Sequence, residues 1–444
     1  MPTSNCIDST PKIEAALQEQ HQCPSPFHYR PTIYEELNDY SAAFDDGKVQ
    51  RPVCIGSCCM ECATVGLWPE GKTSYNKRVQ IFLHLASLPF WLTCLIYELM
   101  RPNRSQRCTQ SFLIVMITGH VMNGLAALIE APLRGETCSR TIYSMTAFFN
   151  PLVAVVGFVC TTGVFLCFLT EGFFLAHMAE RIVIKTDYIE RYYKWAIAFT
   201  VTVALAMAIG FTASSSFQLG PTSLAPFTFD SVQTLVLMSF SGVFILGGFL
   251  CILIVIGFLM KSAFEARVLY HSASKATSRA IGLLLLQWRT FVLSFLISLI
   301  WVLSLVAYIK TKRFSSLMSG QEMPPVFVNW VMCLFSTYDR ASCQAIIASE
   351  TKALDHILVA GLMSGVYHTF MPFVFIFRSS VFDVIEHWPF FHRFFPNRSK
   401  PETGTTGMSF AHMTKAGSNM SHSMTTLSAT ARPISPQATQ HEAV

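Results

Sequence analysis

Charged residues are scarce in this sequence. Of its 444 residues only 13% are Asp, Glu, Lys or Arg, whereas 52% are hydrophobic and 37 are Phe, and the mean hydropathy is positive. Soluble domains carry about 25% charged residues, and a soluble core of this size could not bury so much apolar surface. The composition therefore excludes an ordinary soluble protein and predicts a chain that lies in a lipid bilayer.

Catalytic motifs are also lacking. The sequence contains no HExxH, no GxSxG and no glycine-rich phosphate-binding loop, which are patterns typical of metalloproteases, hydrolases and nucleotide-binding enzymes. Its apolar segments hold only single, widely separated histidines, at His84, His120, His177 and His368, whereas metal-dependent membrane oxidases need several closely spaced ones. No internal repeat indicates a transporter built from two related halves. We therefore predict no enzyme activity, no cofactor and no metal.

Seven long apolar runs are present instead. A helix needs about 20 residues to cross a hydrocarbon layer of roughly 30 Å, and the runs that reach this length are 79–100, 111–133, 142–179, 195–216, 231–260, 291–309 and 357–377. They predict an all-α membrane protein whose seven-transmembrane helix bundle occupies 79–395. The third run is longer than a span requires, so we expect it to tilt or project, with a kink at Asn150-Pro151. The apolar stretch 326–335 is too short to span and is expected to cover a loop.

The segments outside these runs predict the orientation. Lys and Arg are more frequent in the connectors after the first, third and fifth helices than in the others, and this bias marks the cytoplasmic side. The N-terminus is then outside and the C-terminus inside. No cleavable signal peptide is apparent, so the first helix directs insertion. We predict an extracellular, cysteine-containing segment at 1–78 and a disordered, Ser/Thr-rich cytoplasmic tail at 396–444.

Cysteines support an external N-terminal segment. The chain has 14 of them, and most of those outside the helices fall on the predicted outer face, where an oxidising environment permits disulfides. For Cys138 the partner stays open between Cys343 and an N-terminal cysteine. The group at 54–62 could alternatively bind zinc, but no second cysteine pair follows at zinc-finger spacing. The disulfide candidates are Cys54, Cys58, Cys59, Cys62, Cys138 and Cys343.

Three Asn-x-Ser sequons favour an alternative. Asn103, Asn397 and Asn419 all lie on the predicted cytoplasmic side, although glycosylation acts on external asparagines. With a reversed topology the chain would be a seven-helix ligand-gated ion channel with a cytoplasmic N-terminus, of the insect chemoreceptor type.

The pair Glu180-Arg181 ends the third run at the predicted cytoplasmic side. Followed by Tyr188 and Glu190, it resembles the pattern after the third helix in nematode serpentine chemoreceptors of the Sre and Sra kinds, and 269–289 and 386–395 resemble further segments of those families. The resemblance implies a G-protein-coupled receptor in which Glu180 and Arg181 form the coupling switch, with the arginine held in one state and released in another. The alternative is an arginine that anchors the helix end at the membrane surface.

Polar and aromatic residues in the outer halves of the helices are the candidate ligand site. A few polar groups in an apolar cavity are typical of a small-molecule site, whereas a lone Trp or Tyr near a helix end is often an interfacial residue. We predict a chemosensory receptor of the plasma membrane or of a sensory cilium. Its partners are a small-molecule ligand, a heterotrimeric G protein on the cytoplasmic face and the lipid bilayer, and no nucleic acid. The candidate ligand residues are Asn123, Glu130, Tyr143, Asn150, Trp301, Tyr308 and His368.

Overall fold

The computed structural model describes most of the chain from the N-terminal segment to the last apolar run. The described residues are 23–45, 49, 52, 54–60, 72–100, 107–133, 138–139, 143–214, 217–220, 232–270, 291–292, 294–309 and 325–376. The predicted tail at 396–444, the resembling segment at 386–395 and the three sequons lie outside them.

Helices make up most of the described ranges. In chain order they are α1 (Ile33–Asp39), α2 (Ser41–Asp45), α3 (Lys72–Met100), α4 (Arg107–Glu130), α5 (Pro151–Ala179), α6 (Tyr188–Ala213), α7 (Val232–Tyr270), α8 (Ser294–Ile309), α9 (Pro325–Thr337) and α10 (Arg340–Ile376). One π-helical turn, Glu180–Ile184, continues α5. Five short strands accompany them: β1 (Phe27–Tyr29), β2 (Cys54–Ile55), β3 (Cys58–Met60), β4 (Cys138–Ser139) and β5 (Tyr143–Ser144).

Within the described ranges, five helices are long and apolar enough to cross a membrane. They are α3, α4, α5 with its π turn, α6 and α7, and they confirm the first five predicted runs as membrane-type helices. The sixth run forms the shorter apolar helix α8, and the seventh forms the C-terminal part of α10. Within the bundle α5 packs against α4, α6 and α7, while α3 packs against α4 and α10.

The predicted start of the third helix is wrong. Helix α5 begins at Pro151 and not at residue 142, because Asn150 caps it: its side-chain oxygen accepts a 3.0 Å hydrogen bond from the backbone nitrogen of Leu152. Proline at the first helical position needs no hydrogen-bond acceptor for a backbone N–H. Asn150-Pro151 is therefore a helix start and not a kink. With its π turn the helical segment Pro151–Ile184 has 34 residues and is about 51 Å long at 1.5 Å per residue. It is still longer than a hydrocarbon layer of roughly 30 Å, so the tilt or projection stays a prediction.

A small disulfide-bonded domain lies at one end of the bundle. The strands β1, β3 and β2 form an antiparallel sheet in that order. Disulfides join Cys23 to Cys58 and Cys54 to Cys59 within the N-terminal segment, and Cys333 to Cys343 between α9 and α10. These bonds confirm disulfide formation in the N-terminal segment, and they occupy three cysteines of the alternative zinc group.

The connectors complete this domain. Phe27 and Met60 of the N-terminal segment pack with Trp330 and Leu334 of α9. The stretch 326–335 is therefore a helix that buries its apolar face in a cluster with the N-terminal segment and with Ala307 of α8 and Ile357 of α10. Tyr143 packs with Ile33 and Phe44. We call the described residues of 23–60, 138–149 and 325–347 the cap. The predicted topology places these three segments on one side of the membrane, and their packing agrees with that prediction.

Candidate functional site

Three histidines meet inside the bundle. His84 of α3, His120 of α4 and His368 of α10 are 0%, 2% and 3% exposed. The ring centroids of His84 and His368 are 4.4 Å apart, and those of His120 and His368 are 4.8 Å apart. We call these three residues the histidine cluster. Because its members come from three helices, any change in how those helices pack changes the cluster.

Trp91 connects the three helices at the histidine cluster. It follows His84 by about two helical turns, so both side chains lie on one face of α3. Its indole ring stacks on His120 with centroids 4.2 Å apart, and its Nε1 donates a 3.1 Å hydrogen bond to the backbone oxygen of His368. The ring of Tyr367 lies 5.7 Å from that of His120. Ring packing, together with the hydrogen bond of Trp91, thus holds these side chains in place.

Several polar atoms of the cluster have no hydrogen-bonding partner among the described residues. They are both ring nitrogens of His84 and His120, Nδ1 of His368 and the hydroxyl of Tyr367. Burying a polar group without a partner costs on the order of 1–3 kcal/mol, and few native groups are left so. In the part of the chain that the structure describes, no three His, Cys, Asp or Glu side chains are arranged as a preformed metal site.

The linear sequence concealed this cluster. The four histidines do lie singly in four helices, but three of them converge, because helix packing brings together residues about 36 and about 248 positions apart. The spacing of His84 and Trp91 was the one local indication of the cluster, since it places two rings with N–H groups on the same face of α3. His177 stays apart: it is buried in α5, with its ring 6.3 Å from that of Phe112.

Glu130, a candidate ligand residue, forms a buried ion pair. Its Oε1 lies 2.8 Å from Nζ of Lys77, and both side chains are 0% exposed. Lys77 belongs to α3, which begins at Lys72, so this helix extends into the last residues of the predicted N-terminal segment 1–78. The pair fixes the end of α4 to the start of α3. A ligand group that binds Glu130 must therefore compete with a lysine already in contact.

Two further candidate residues, Asn123 and Trp301, lie where helices meet, and a third, Tyr308, is buried. Asn123 faces Gly163 of α5 so closely that a Cβ atom on that glycine would be 2.5 Å from its Oδ1. Trp301 of α8 donates a 3.2 Å hydrogen bond from Nε1 to the backbone oxygen of Met238 in α7. Tyr308, near the end of α8, is buried. Asn123 and Trp301 each contact a neighbouring helix, and no described contact joins the three residues into one site.

Tyr143 and Asn150 belong to the cap side. The hydroxyl of Tyr143 donates a 3.3 Å hydrogen bond to Oε2 of Glu36, and its ring packs against Tyr40 and Phe149. Burial, and then the negative charge of Glu36, raise the pKa of Tyr143 to about 12. Asn150 is the cap residue of α5. Both residues were predicted to bind a ligand, and in the structure both make contacts that stabilise the fold.

A groove of about 310 Å³ lies between α6 and α7. None of the candidate ligand residues lines it; its walls are Ala206, Met207, Gly210, Phe211, Ser214, Gln233 and Val236.

Glu180 fastens the connector between α5 and α6. Its carboxylate accepts hydrogen bonds from Oγ1 of Thr186 at 2.7 Å, from the backbone nitrogen of Tyr188 and from that of Ile189 at 2.9 Å. The last two are among the free N–H groups at the start of α6, where a carboxylate also interacts favourably with the helix dipole. Lys185 closes the π turn in a left-handed conformation with φ of 60°. The side chain of Glu180 thus acts as a remote helix cap.

Arg181 does not use Glu180 as its partner. Its side chain is exposed, and no described residue forms an ion pair with it. The contact expected between the two side chains is therefore replaced by contacts of Glu180 with the connector, because the three donors there satisfy both carboxylate oxygens. The carboxylate and the guanidinium are adjacent in sequence but separate in their interactions.

Of the cysteine candidates, five lie in the described residues. Cys54, Cys58, Cys59 and Cys343 are in the disulfides already given, and Cys138 is also disulfide-bonded. Because Cys343 is bonded to Cys333, it is not the partner of Cys138, and that alternative is wrong. An N-terminal cysteine remains the prediction for Cys138. Cys62 lies outside the described residues.

Comparison with known proteins gives no family. No protein-family model matches the chain, and no curated protein matches it. Among solved structures, the chain is similar to the crystal structure of squid rhodopsin, with 13% sequence identity and a TM-score of 0.39 over 77% of this chain and 94% of that one. This similarity is too low to assign a fold or a family.

Proposed function

We propose that this chain is a chemosensory G-protein-coupled receptor that binds a small ligand within the helix bundle and activates a heterotrimeric G protein. The observation that carries the proposal is the different construction of the two ends of α5. One end starts at the cap, next to Asn150, and the other ends in an exposed arginine beside a connector fastened by one carboxylate. A receptor needs such an asymmetry: a fixed outer end and an inner end that can change.

The ligand is proposed to bind in the outer half of the bundle. Among the candidate residues, Asn123 and His368 support this best, because Oδ1 of Asn123 and Nδ1 of His368 are buried and have no hydrogen-bonding partner among the described residues. A ligand that supplies a donor to either atom removes a desolvation penalty. Glu130 and Trp301 hold the surrounding helices, Tyr308 is buried in α8, Tyr143 packs within the cap, and Asn150 starts α5 beside it.

The coupling switch is proposed to be the release of Glu180 from the connector. While the carboxylate caps α6, the connector is fixed; once released, it exposes the start of α6 beside Arg181 to a partner protein. A ligand shifts this equilibrium only by its differential affinity for the two states. Coupling energies of about 1–3 kcal/mol suffice for a 5- to 150-fold change.

The test needs no known ligand, because removing the Glu180 carboxylate from the start of α6 should raise basal activity. Nucleotide exchange on purified G proteins is measured in membranes that contain the full chain, Glu180→Ala, Arg181→Ala or Arg181→Lys, at matched surface expression. We expect faster basal exchange for Glu180→Ala and loss of exchange for Arg181→Ala. Arg181→Lys should be intermediate, because lysine keeps the charge but lacks the planar guanidinium. Glu190→Ala is the control, since Glu190 lies nearby on α6 without capping it.

Two outcomes contradict the proposal. If no variant stimulates any G protein although all reach the surface, the chain is not such a receptor. An epitope placed after Ser4 must also be labelled on intact cells; labelling only after permeabilisation reverses the topology and favours the ligand-gated channel.

A further inference from the structure

The start of α6 carries a row of exposed aromatic side chains. Their exposed fractions lie between 45% and 76%, and the residues are Tyr188, Tyr192, Trp195 and Phe199. Because they follow one another at spacings of three or four residues, they lie on one face of the helix. Another face of α6 packs on the bundle through Ile189 and Ile197. We call the four exposed side chains the aromatic row.

The aromatic row lies where the apolar part of the helix begins. Helix α6 is one of the membrane-type helices, and its apolar run starts at Trp195. From Tyr188 to Trp195 the helix rises about 10 Å, close to the depth of a headgroup layer, which is roughly 5–8 Å on each side of the hydrocarbon. Trp and Tyr are enriched at this level, because their rings are apolar and carry a polar group. The chemistry of this face therefore fits a lipid.

Basic side chains border the aromatic row. Arg191 follows Tyr188 by three residues and precedes Trp195 by four, so its side chain lies beside both rings on the helix surface. Lys194 lies one turn beyond Arg191. Both basic side chains are exposed, and no described residue forms an ion pair with either of them. The basic border can therefore accept an anionic partner.

The charges around this border favour an anion. The exposed cations from the connector to the second turn of α6 are Arg181, Lys185, Arg191 and Lys194. Of the three acidic residues in the same stretch, only Asp187 is exposed; Glu190 is half-buried, and Glu180 is buried with its carboxylate bonded to the connector. A surface with this excess of cations attracts anionic groups.

We propose that the aromatic row and its basic border bind the headgroup of an anionic phospholipid. The phosphate accepts charge-assisted hydrogen bonds from the Arg191 guanidinium and the Lys194 ammonium, while the rings of the aromatic row contact the glycerol and the upper acyl chains. The predicted topology places this end of the bundle at the cytoplasmic leaflet, which contains the anionic lipids. The proposal goes beyond the receptor function and does not depend on it, because lipid binding needs no G protein.

The experiment measures lipid binding by native mass spectrometry. The full chain is purified in detergent and mixed with equal amounts of phosphatidylserine and phosphatidylcholine that have identical acyl chains. We expect the unaltered chain to bind phosphatidylserine more tightly. Arg191→Gln/Lys194→Gln should weaken phosphatidylserine binding about 25-fold, because each basic residue near an anionic surface contributes about fivefold. Its binding of phosphatidylcholine should not change.

Two control variants isolate charge at this place. Arg191→Lys/Lys194→Arg keeps both positive charges and should keep the preference for phosphatidylserine. Lys261→Gln removes an exposed cation of α7 that is already paired with Glu265, 3.8 Å away, and should change phosphatidylserine binding by less than twofold. Trp195→Leu tests the aromatic row: it should weaken the binding of both lipids by a similar factor, because the ring contacts any phospholipid.

Three outcomes overturn the proposal. The first is equal binding of the two lipids by the unaltered chain. The second is a loss of phosphatidylserine binding in Lys261→Gln as large as in Arg191→Gln/Lys194→Gln. The third is a glutamine variant that keeps its preference for phosphatidylserine but no longer stimulates nucleotide exchange, because this face would then bind the G protein and not a lipid.

Discussion

The cap and the histidine cluster are stabilised in opposite ways. The cap is held by disulfides and by aromatic packing around Trp330 and Tyr143. The Tyr143 hydroxyl has a hydrogen-bonding partner, whereas Nε1 of Trp330 and Oγ1 of Thr146 are buried without one among the described residues. The histidine cluster has polar atoms packed closely without such partners. Satisfied groups add stability, whereas unsatisfied ones lower it. The difference therefore lies in the disulfides: covalent bonds stabilise the cap, whereas the histidine cluster depends on the packing of its helices, and the bundle interior is the place where function is to be sought.

Two ion pairs of α3, one buried in the bundle and one exposed, allow the test with the largest expected effect on stability. Lys77 and Glu130 are both 0% exposed, whereas Lys72 and Asp355, whose charged atoms are 2.8 Å apart, are 41% and 35% exposed. Replacing Lys77 with Met leaves the Glu130 carboxylate buried without its cation, and we expect a loss of about 3–5 kcal/mol of stability. Thermal unfolding of the purified chain measures the loss. The double variant Lys77→Met/Glu130→Leu should recover most of it; equal instability of the double variant would show that burial of the pair is not the cause.

Removal of a cap disulfide should have the next largest effect. The double variant Cys333→Ser/Cys343→Ser frees the chain between α9 and α10, and we expect it to lose roughly 2–4 kcal/mol. Cys251→Ser is the matched control, because Cys251 is a free cysteine in the bundle, and it should change the melting temperature little. A similar effect of both variants would mean that the cap does not carry the stability assigned to it.

Loss of the Asn150 side chain at the start of α5 should reduce stability by less than loss of the disulfide. Asn150→Ala removes the acceptor of the Leu152 N–H, and we expect a destabilisation of about 1 kcal/mol. Asn150→Ser keeps a side-chain acceptor and should stay close to the unaltered chain in the same unfolding measurement. If Ala and Ser behave alike while a ligand response is lost in both, Asn150 contributes to ligand binding as the sequence predicted.

The exposed ion pair should matter least. Lys72→Met breaks the contact with Asp355, and because both groups reach water we expect a change of about 0–1 kcal/mol that shrinks further at high salt. Comparing its melting temperature with that of Lys77→Met isolates burial as the variable, because both lysines start the same helix. A loss as large as that of Lys77→Met would remove the distinction between the two pairs.

The sequence predicted the elements that depend on local pattern. Apolar length sufficed to find five membrane-type helices. The boundary at Asn150-Pro151 was also readable, because asparagine before proline is a helix-start signal; it was missed because the apolar run was extended through it. The Lys77–Glu130 pair could not be predicted, since Lys77 precedes the first run, Glu130 lies near the end of the second, and only helix packing brings them together. The same holds for His84, His120 and His368, whose proximity depends on three helices at once.

The crossing of α4 and α5 fixes what can move in the bundle. A Cβ atom added to Gly119 would lie 2.7 Å from the backbone oxygen of Gly163, and one added to Gly163 would lie 2.7 Å from that of Gly119. At this point backbone meets backbone, so no side-chain rearrangement can absorb sliding or rotation of one helix past the other. We therefore expect α4 and α5 to move as one rigid unit and conformational change to occur in the helices around them. Spin labels on α4 and α5 should keep one distance in every state, while distances from α5 to α6 change.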